Sequence, residues 1–509
     1  MLSKVNSGCV FGIDAYPVDV EVDLTGGLPC FSVVGLPDTA IRESRDRIRS
    51  AIRNSGFDFP DGKITVNLSP ADIKKEGAGF DLPIAIGILA ATGYIRQEEL
   101  EGHIFCGELS LNGRLKSFRG ALPIALSLKN ICRSFILPKN NAREAANIKD
   151  IDVYGTNSLR KAVEHIKGIS PLERMAVKEK DNSIPSPHLL DLKDVKGQEY
   201  VKRGLEVAAG GGHNVLLLGP PGAGKSMLAK RFPTILPELS PEESLEVTNI
   251  YSVAGQLKAE GLITERPVRA PHHTISYAAM AGGGSWPMPG EISLAHNGVL
   301  FLDEFPEFRR DVLETLRQPI ESGEITIARV KRSLRYPSRF ILIAAMNPCP
   351  CGYFTDPHKR CHCSPLQIQR YLSKISGPLL DRIDLHLEVP RLDYTQLSGR
   401  RTGELSSVVK ERVLRCRAAQ KERFRGKNTE AAYNARMDSK ETEKFCVLSN
   451  EAESLLKTAI LELGISARAY DKILKISRTI ADMDEAETIE SYHISEAIGY
   501  RCLDRNLWA

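Results

Sequence analysis

The chain has 509 residues, 42% hydrophobic and 26% charged, which fits a soluble globular protein of roughly two to four domains. A formal charge of +4 excludes a polycation, so any nucleic-acid binding must come from a local basic patch. The start, MLSKVNSGCVFG, has no unbroken apolar signal-peptide core, and the apolar run at 82–95 is too short for a bilayer. The expectation is a cytoplasmic protein with no membrane partner. Of eleven cysteines, seven are scattered singly and read as reduced thiols rather than a disulfide framework.

In chain order, residues 1–168 mix strand-like runs (VDVEVDL, FSVVGL, KITVNL) with helical stretches such as TAIRESRDRIRSAIRNSG. Residues 169–190 are rich in charge, Pro and Ser and read as a linker. Residues 191–395 alternate strand and helix, and the strands NVLLLG, GVLFLDE and FILIAAMN are continuous apolar runs. Such runs suit a parallel sheet covered on both faces. Residues 396–509 read as almost purely helical. The fold class is α/β.

The first chemical motif is GPPGAGKS: Gly219, Pro220, Pro221, Gly222, Ala223, Gly224, Lys225 and Ser226. It matches the P-loop pattern, follows an apolar strand, and precedes Leu228, Phe232, Ile235 and Leu236 at helical spacing. Its glycines let backbone N–H groups curl around phosphates at a helix start. Lys225 would reach the β- and γ-phosphates of ATP, and Ser226 would ligate Mg²⁺. GVLFLDE then supplies Asp303, to hold Mg²⁺ directly or through water, and Glu304, to polarise the attacking water as general base. FILIAAMN ends in Asn347, whose amide could orient that water or sense the γ-phosphate. His272 and His273 read as packing residues, because no thiol or carboxylate lies at a convincing ligand spacing.

Residues 323–339 read as a hairpin, with Arg329, Lys331, Arg332 and Arg335 around its tip. Charge runs are usually solvated faces, so this feature alone balances a bland surface against a DNA contact through Arg329, Lys331 and Arg332. Within 347–363, Cys349, Cys351, Cys361 and Cys363 form C-x-C-x9-C-x-C. Four thiolates suit tetrahedral Zn²⁺. His358 or His362 could replace one cysteine, and an iron–sulfur cluster or plain reduced thiols are the alternatives.

The set GPPGAGKS, GVLFLDE, AAMN, LLDRIDL and SARAYDKILKISRTIADMD, with RPVRAPHHTIS and PGEISLAHNGVLFLDE, resembles the AAA+ ATPases of the magnesium-chelatase-like group. The resemblance is to the ComM/YifB branch and covers essentially the whole chain. It implies an AAA+ P-loop α/β sandwich at 191–395, a helical lid at 396–509, and a Lon-protease-like α/β domain at 1–168. It makes Arg382 an arginine finger reaching a neighbour's γ-phosphate in a ring, most often a homo-hexamer, and Arg468 the sensor-2 arginine. Val195 to Gln198 would pack on adenine. The hairpin would point into the pore beside a second insert within 253–284, carrying Lys258, Arg266 and Arg269. The peptidase dyad of Lon has no counterpart, since its positions hold Gly79 and Leu122. The implied function is a DNA motor with helicase and branch-migration activity in DNA uptake and recombination. The alternatives are a chelatase-type protein-remodelling ATPase and a scaffold that does not translocate.

Overall fold

The computed structural model describes residues 1–75, 77–176, 190–257, 261–284, 287–329, 332–354, 356, 358–392, 403–426 and 433–501. Two compact units divide the chain: Met1–Asn182 with Pro241–Ile263, and Ser183–Ser240 with Thr264–Ala509. Most of the linker at 169–190 lies outside the described residues. No helix among the described residues is long and apolar enough to cross a membrane.

The first unit is built on a seven-stranded mixed sheet. Its order is Cys30–Val34, Lys63–Ser69, Asp14–Thr25, Leu2–Phe11, His103–Phe105, Ser134–Pro138 and Asp152–Thr156. Strict alternation in VDVEVDL sends Val18, Val20 and Val22 inward, and all three are buried. The helix Asp81–Ala91, apolar nearly all round, is buried along its whole length. Leu122, where the resemblance puts the Lon lysine, is buried in the core. The helix Pro241–Ala254 also belongs here: Leu245 packs on this core, and the Asn249 amide donates to the Ile13 carbonyl at 2.9 Å.

The second unit holds a five-stranded sheet in the order Val268–Arg269, Val299–Leu302, Ile341–Met346, Val215–Leu218, Leu385–Glu388. Every pairing in it is parallel. Its three central strands, Val299–Leu302, Ile341–Met346 and Val215–Leu218, are the predicted apolar runs, and they are buried on both faces. The C-terminal helices pack into the same core. Along Ser406–Phe424 the buried positions are Ser406, Val409, Val413, Cys416, Gln420 and Phe424, the spacing of one helical face. Ile473, Ile476 and Ile480 of Ala467–Met483 join the same cluster as Val215 and Leu217.

The expected hairpin is present as Glu324–Arg329 against Arg332–Pro337, with Arg329 opposite Arg332. Tyr336 is fully buried at its base and donates its hydroxyl to the Pro287 carbonyl at 2.7 Å. The short pair Gly282–Gly283 and Met288–Pro289 sits beside it.

Candidate functional site

In parallel sheets, ligand chemistry collects beyond the carboxyl ends of the strands. Register places Leu218 beside Met346 and Leu302 beside Ala344. The P-loop, Asn347 and the pair Asp303–Glu304 therefore leave the sheet side by side. Gly224, with φ of +93°, makes the turn into the helix Lys225–Arg231, a conformation that side-chain-bearing residues resist.

The side chains converge as the sequence suggests. Lys225 Nζ donates to the carbonyls of Gly219 at 2.6 Å and Pro220 at 2.9 Å, and to Asn347 Oδ1 at 3.0 Å. Only 8% of Lys225 is exposed. Burial pulls its pKa down to about 8, and Asp303 opposes that shift. Ser226 Oγ donates to Asp303 Oδ2 at 2.6 Å, and the other Asp303 oxygen accepts the Glu304 N–H at 2.9 Å. A hydroxyl and a carboxylate so disposed are hard oxygen ligands suited to Mg²⁺. The hydrogen-bond partners of the buried ammonium among the described residues are carbonyl and amide oxygens, and a phosphate would be its natural counter-ion.

Gln198 also reaches this loop. Its amide donates to the Ala223 carbonyl at 2.7 Å and the Pro390 carbonyl at 3.2 Å. Val195 lies wholly inside the core cluster, so it supports this segment from beneath rather than lining an open surface.

One neighbour of the site was not legible in the sequence. His273 Nδ1 lies 3.1 Å from Glu304 Oε2. The packing role expected for both histidines therefore holds only in part: they stack on each other with centroids 4.1 Å apart, but His273 also meets the Glu304 carboxylate. The partner stands far along the sequence, so no local spacing could reveal it.

Arg382 and Arg468 lie elsewhere. Arg382 pairs with Glu321 and donates to the Pro378 carbonyl at 2.5 Å. Arg468 is 64% exposed and 3.4 Å from Asp381. Both stand near the amino ends of the strands. Asp384 accepts from the Asn214 N–H at 2.8 Å, just ahead of Val215, and from Lys472 Nζ at 2.6 Å, one helical turn after Arg468.

Of the basic residues, Lys331 and Lys258 lie outside the described residues, as do the side chains of Arg329 and Arg332. Arg335 is exposed. Arg266 and Arg269 are engaged inside the protein. Arg266 donates to the carbonyls of Pro237, Asn297 and Glu238, and Arg269 forms a two-pronged pair with Glu291 at 2.5 and 2.6 Å. They brace the fold around the Val268–Arg269 strand.

The four cysteine sulfurs converge within 4.8 Å of one another. Burial pushes the Cys349 thiol up to about 12. Cys351 is held down at about 6, where N–H groups of His362 and Tyr353 outweigh burial.

A parallel sheet with a P-loop, an acidic pair and a polar strand end side by side, followed by packed helices, defines an AAA+-like unit. Family models agree: magnesium chelatase subunit ChlI matches residues 191–397, its C-terminal part matches 403–501, and a further ChlI model matches 20–141. Competence protein ComM of Haemophilus influenzae is 46% identical over 511 residues, 99% of this chain and 98% of that protein. The uncharacterized protein YifB of Escherichia coli K12 is 45% identical over 507 residues, with the same two coverages. The magnesium-chelatase 38 kDa subunit of Rhodobacter capsulatus is 26% identical over 171 residues, 30% of this chain and 49% of that subunit. The chain belongs to the ComM/YifB branch of the magnesium-chelatase-like proteins.

Proposed function

We propose that this chain is a ring-forming, magnesium-dependent ATPase that moves on DNA. The observation that carries the ATPase reading is the convergence of Lys225, Ser226, Asp303 and Asn347 at the carboxyl ends of adjacent strands. In this reading Lys225 leaves its carbonyl partners for the β- and γ-phosphates. Ser226 and Asp303 hold Mg²⁺, which offsets phosphate charge. Glu304 polarises the attacking water, Asn347 positions it, and Gln198 steadies the loop beside the base.

Arg382 and Arg468 serve the nucleotide of the next subunit. A strand of four residues is about 13 Å long. Arginines at the amino ends of such strands sit a strand's length from their own P-loop at the carboxyl ends. Only a neighbour's phosphates are then within easy reach, which calls for a ring, most simply a homo-hexamer.

The DNA reading draws on the competence protein ComM as a full-length relative and on the basic hairpin tip at Arg329, Lys331 and Arg332. The family match to a chelatase subunit favours the second reading, a remodelling ATPase that acts on a protein. The four cysteines are read as a zinc centre. ATPase rates with and without single-stranded and branched DNA, at low and moderate salt, separate the two functions. Stimulation that salt weakens and that a Lys331→Glu/Arg332→Glu variant loses supports the DNA motor. A protein that assembles and hydrolyses ATP with no response to DNA would put the remodelling reading first.

A further inference from the structure

Residues 347–363 leave the sheet at Asn347 and end at the helix Pro365–Leu372. The described residues between Cys349 and Cys363 form no helix or strand. A loop of that length has no core of its own and needs another constraint to hold one shape.

Its cysteines supply one. Cys349 Sγ is 3.3 Å from Cys351 Sγ and 3.7 Å from Cys361 Sγ, and Cys351 and Cys361 are 3.5 Å apart. Sulfurs at about 2.3 Å from a tetrahedral zinc lie about 3.8 Å from each other. A disulfide would bring two of them to about 2.05 Å. The observed separations fit one small ion among four sulfurs, and they leave too little room for a cluster of several irons. The converging group is four cysteines; neither His358 nor His362 is in it.

The loop touches the candidate nucleotide site at two points. Gly352, between the two C-x-C pairs, has φ of +84°, and a Cβ there would lie 2.5 Å from Pro221 Cδ of the P-loop and 3.7 Å from Asn347 Cγ. Asn347, two residues before Cys349, accepts from Lys225 Nζ at 3.0 Å. The amide and the P-loop proline are thus held from one side by this loop.

We propose that Cys349, Cys351, Cys361 and Cys363 bind one zinc ion as a clamp that fixes Asn347 and Pro221, so that the metal sets the competence of the neighbouring nucleotide site. This rests on the ATP and zinc readings given above and adds the dependence of one on the other.

The test uses the purified full-length chain. Metal analysis should find about one zinc per chain, and cobalt substitution should give the intense absorption of a tetrahedral thiolate site. Zinc is then released with a mercurial, and binding of a fluorescent ATP analogue with magnesium is measured beside ATPase. The metal-free protein should bind the analogue several-fold more weakly and turn over at least about tenfold more slowly. Both should return with zinc. Gly352→Ala keeps all four thiols, so it should hold zinc yet show the same losses. No zinc and no cobalt–thiolate band would overturn the centre itself. Zinc present, with affinity and rate unchanged on its removal, would overturn the clamp. Zinc-dependent analogue binding without any hydrolysis would sustain the clamp and sink the ATPase reading instead.

Discussion

The imidazole of His273 is 3.1 Å from the carboxylate of Glu304, the candidate general base. His273 is fixed by stacking on His272 and by the edge of Phe308, with centroids 6.4 Å apart. Glu304 has a left-handed backbone with φ of +51°, uncommon for a residue with a side chain. A carboxylate engaged by an imidazole has a lone pair fewer for water. His273 precedes the Gly282–Gly283 pair beside the basic hairpin, so the histidine links that region to the base.

His273→Ala should therefore raise ATPase measured without DNA and shrink the stimulation by DNA. The restraint is one hydrogen bond, worth about 1 kcal/mol or roughly fivefold in rate. Glu304→Gln should lower the rate by at least about a hundredfold. Equal loss of basal and stimulated rate in His273→Ala would mean that the histidine helps the base rather than restrains it.

Lys225 gives a pH signature. Burial lowers its pKa to about 8 in the free protein, and bound phosphates would raise it again. Below that pH both states carry the proton, so affinity for Mg-ATP is flat. Above it the free enzyme must take up a proton on binding, and affinity should fall by up to about tenfold per pH unit. Calorimetry in buffers of different ionisation enthalpy, near pH 8, should report proton uptake. Lys225→Met should bind weakly with no such uptake. Absence of uptake in the wild type would remove Lys225 from the phosphate site.

The candidate P-loop site was legible because its signals are local. Gly224, the apolar strand before it and Leu228 after it state the P-loop by short-range rules alone, and GVLFLDE and FILIAAMN do the same for the flanking strands. What stayed hidden depends on contacts between distant segments. Nothing in RAPHHTIS names Glu304 as the partner of His273. Arg266 and Arg269 look like a basic insert until Asn297 and Glu291 are seen to hold them. The helix Pro241–Ala254 gives no sign in its own residues that it completes the first unit. The C-x-C pairs were legible as candidate ligands, but the seat of the loop against Pro221 depends on its shape.

A buried charge network should govern stability near the amino ends of the second sheet. Asp384 accepts from Lys472 Nζ and the Asn214 N–H, while His213 stands 3.8 Å away. Burial opposes the charged carboxylate, but Lys472 and His213 hold it well below the usual range. Asp384→Ala strands the Lys472 ammonium in a buried site and should cost about 3–5 kcal/mol. Pairing it with Lys472→Met should recover much of that loss. A carboxyl with a depressed folded pKa lends stability at neutral pH and surrenders it as pH falls below about 4. The double variant should therefore lose less stability between neutral pH and the acid range than the wild type, as urea melts at a series of pH values would show.

The amino-end placement of Arg382 and Arg468 predicts that mixing inactive subunits restores activity. Asp381 lies 3.4 Å from Arg468 and is the chain neighbour of Arg382, so the two arginines form one patch. Lys225 belongs to the opposite end of the same sheet. Homogeneous Arg382→Ala or Lys225→Ala rings should each turn over at least about a hundredfold more slowly than wild type. In a mixed ring, some interfaces join an intact Lys225 to a neighbour's intact Arg382, and those interfaces should hydrolyse ATP. ATPase titrated across the mixing ratio should rise from both inactive ends to a maximum near equal amounts. Arg468→Ala should complement Lys225→Ala in the same way, but a mixture of Arg382→Ala with Arg468→Ala should recover less. There the only intact interfaces need both arginines from one subunit, and every subunit lacks one of them. A flat titration with Lys225→Ala, in rings shown by native mass to be mixed, would mean that the arginines act on their own subunit's nucleotide.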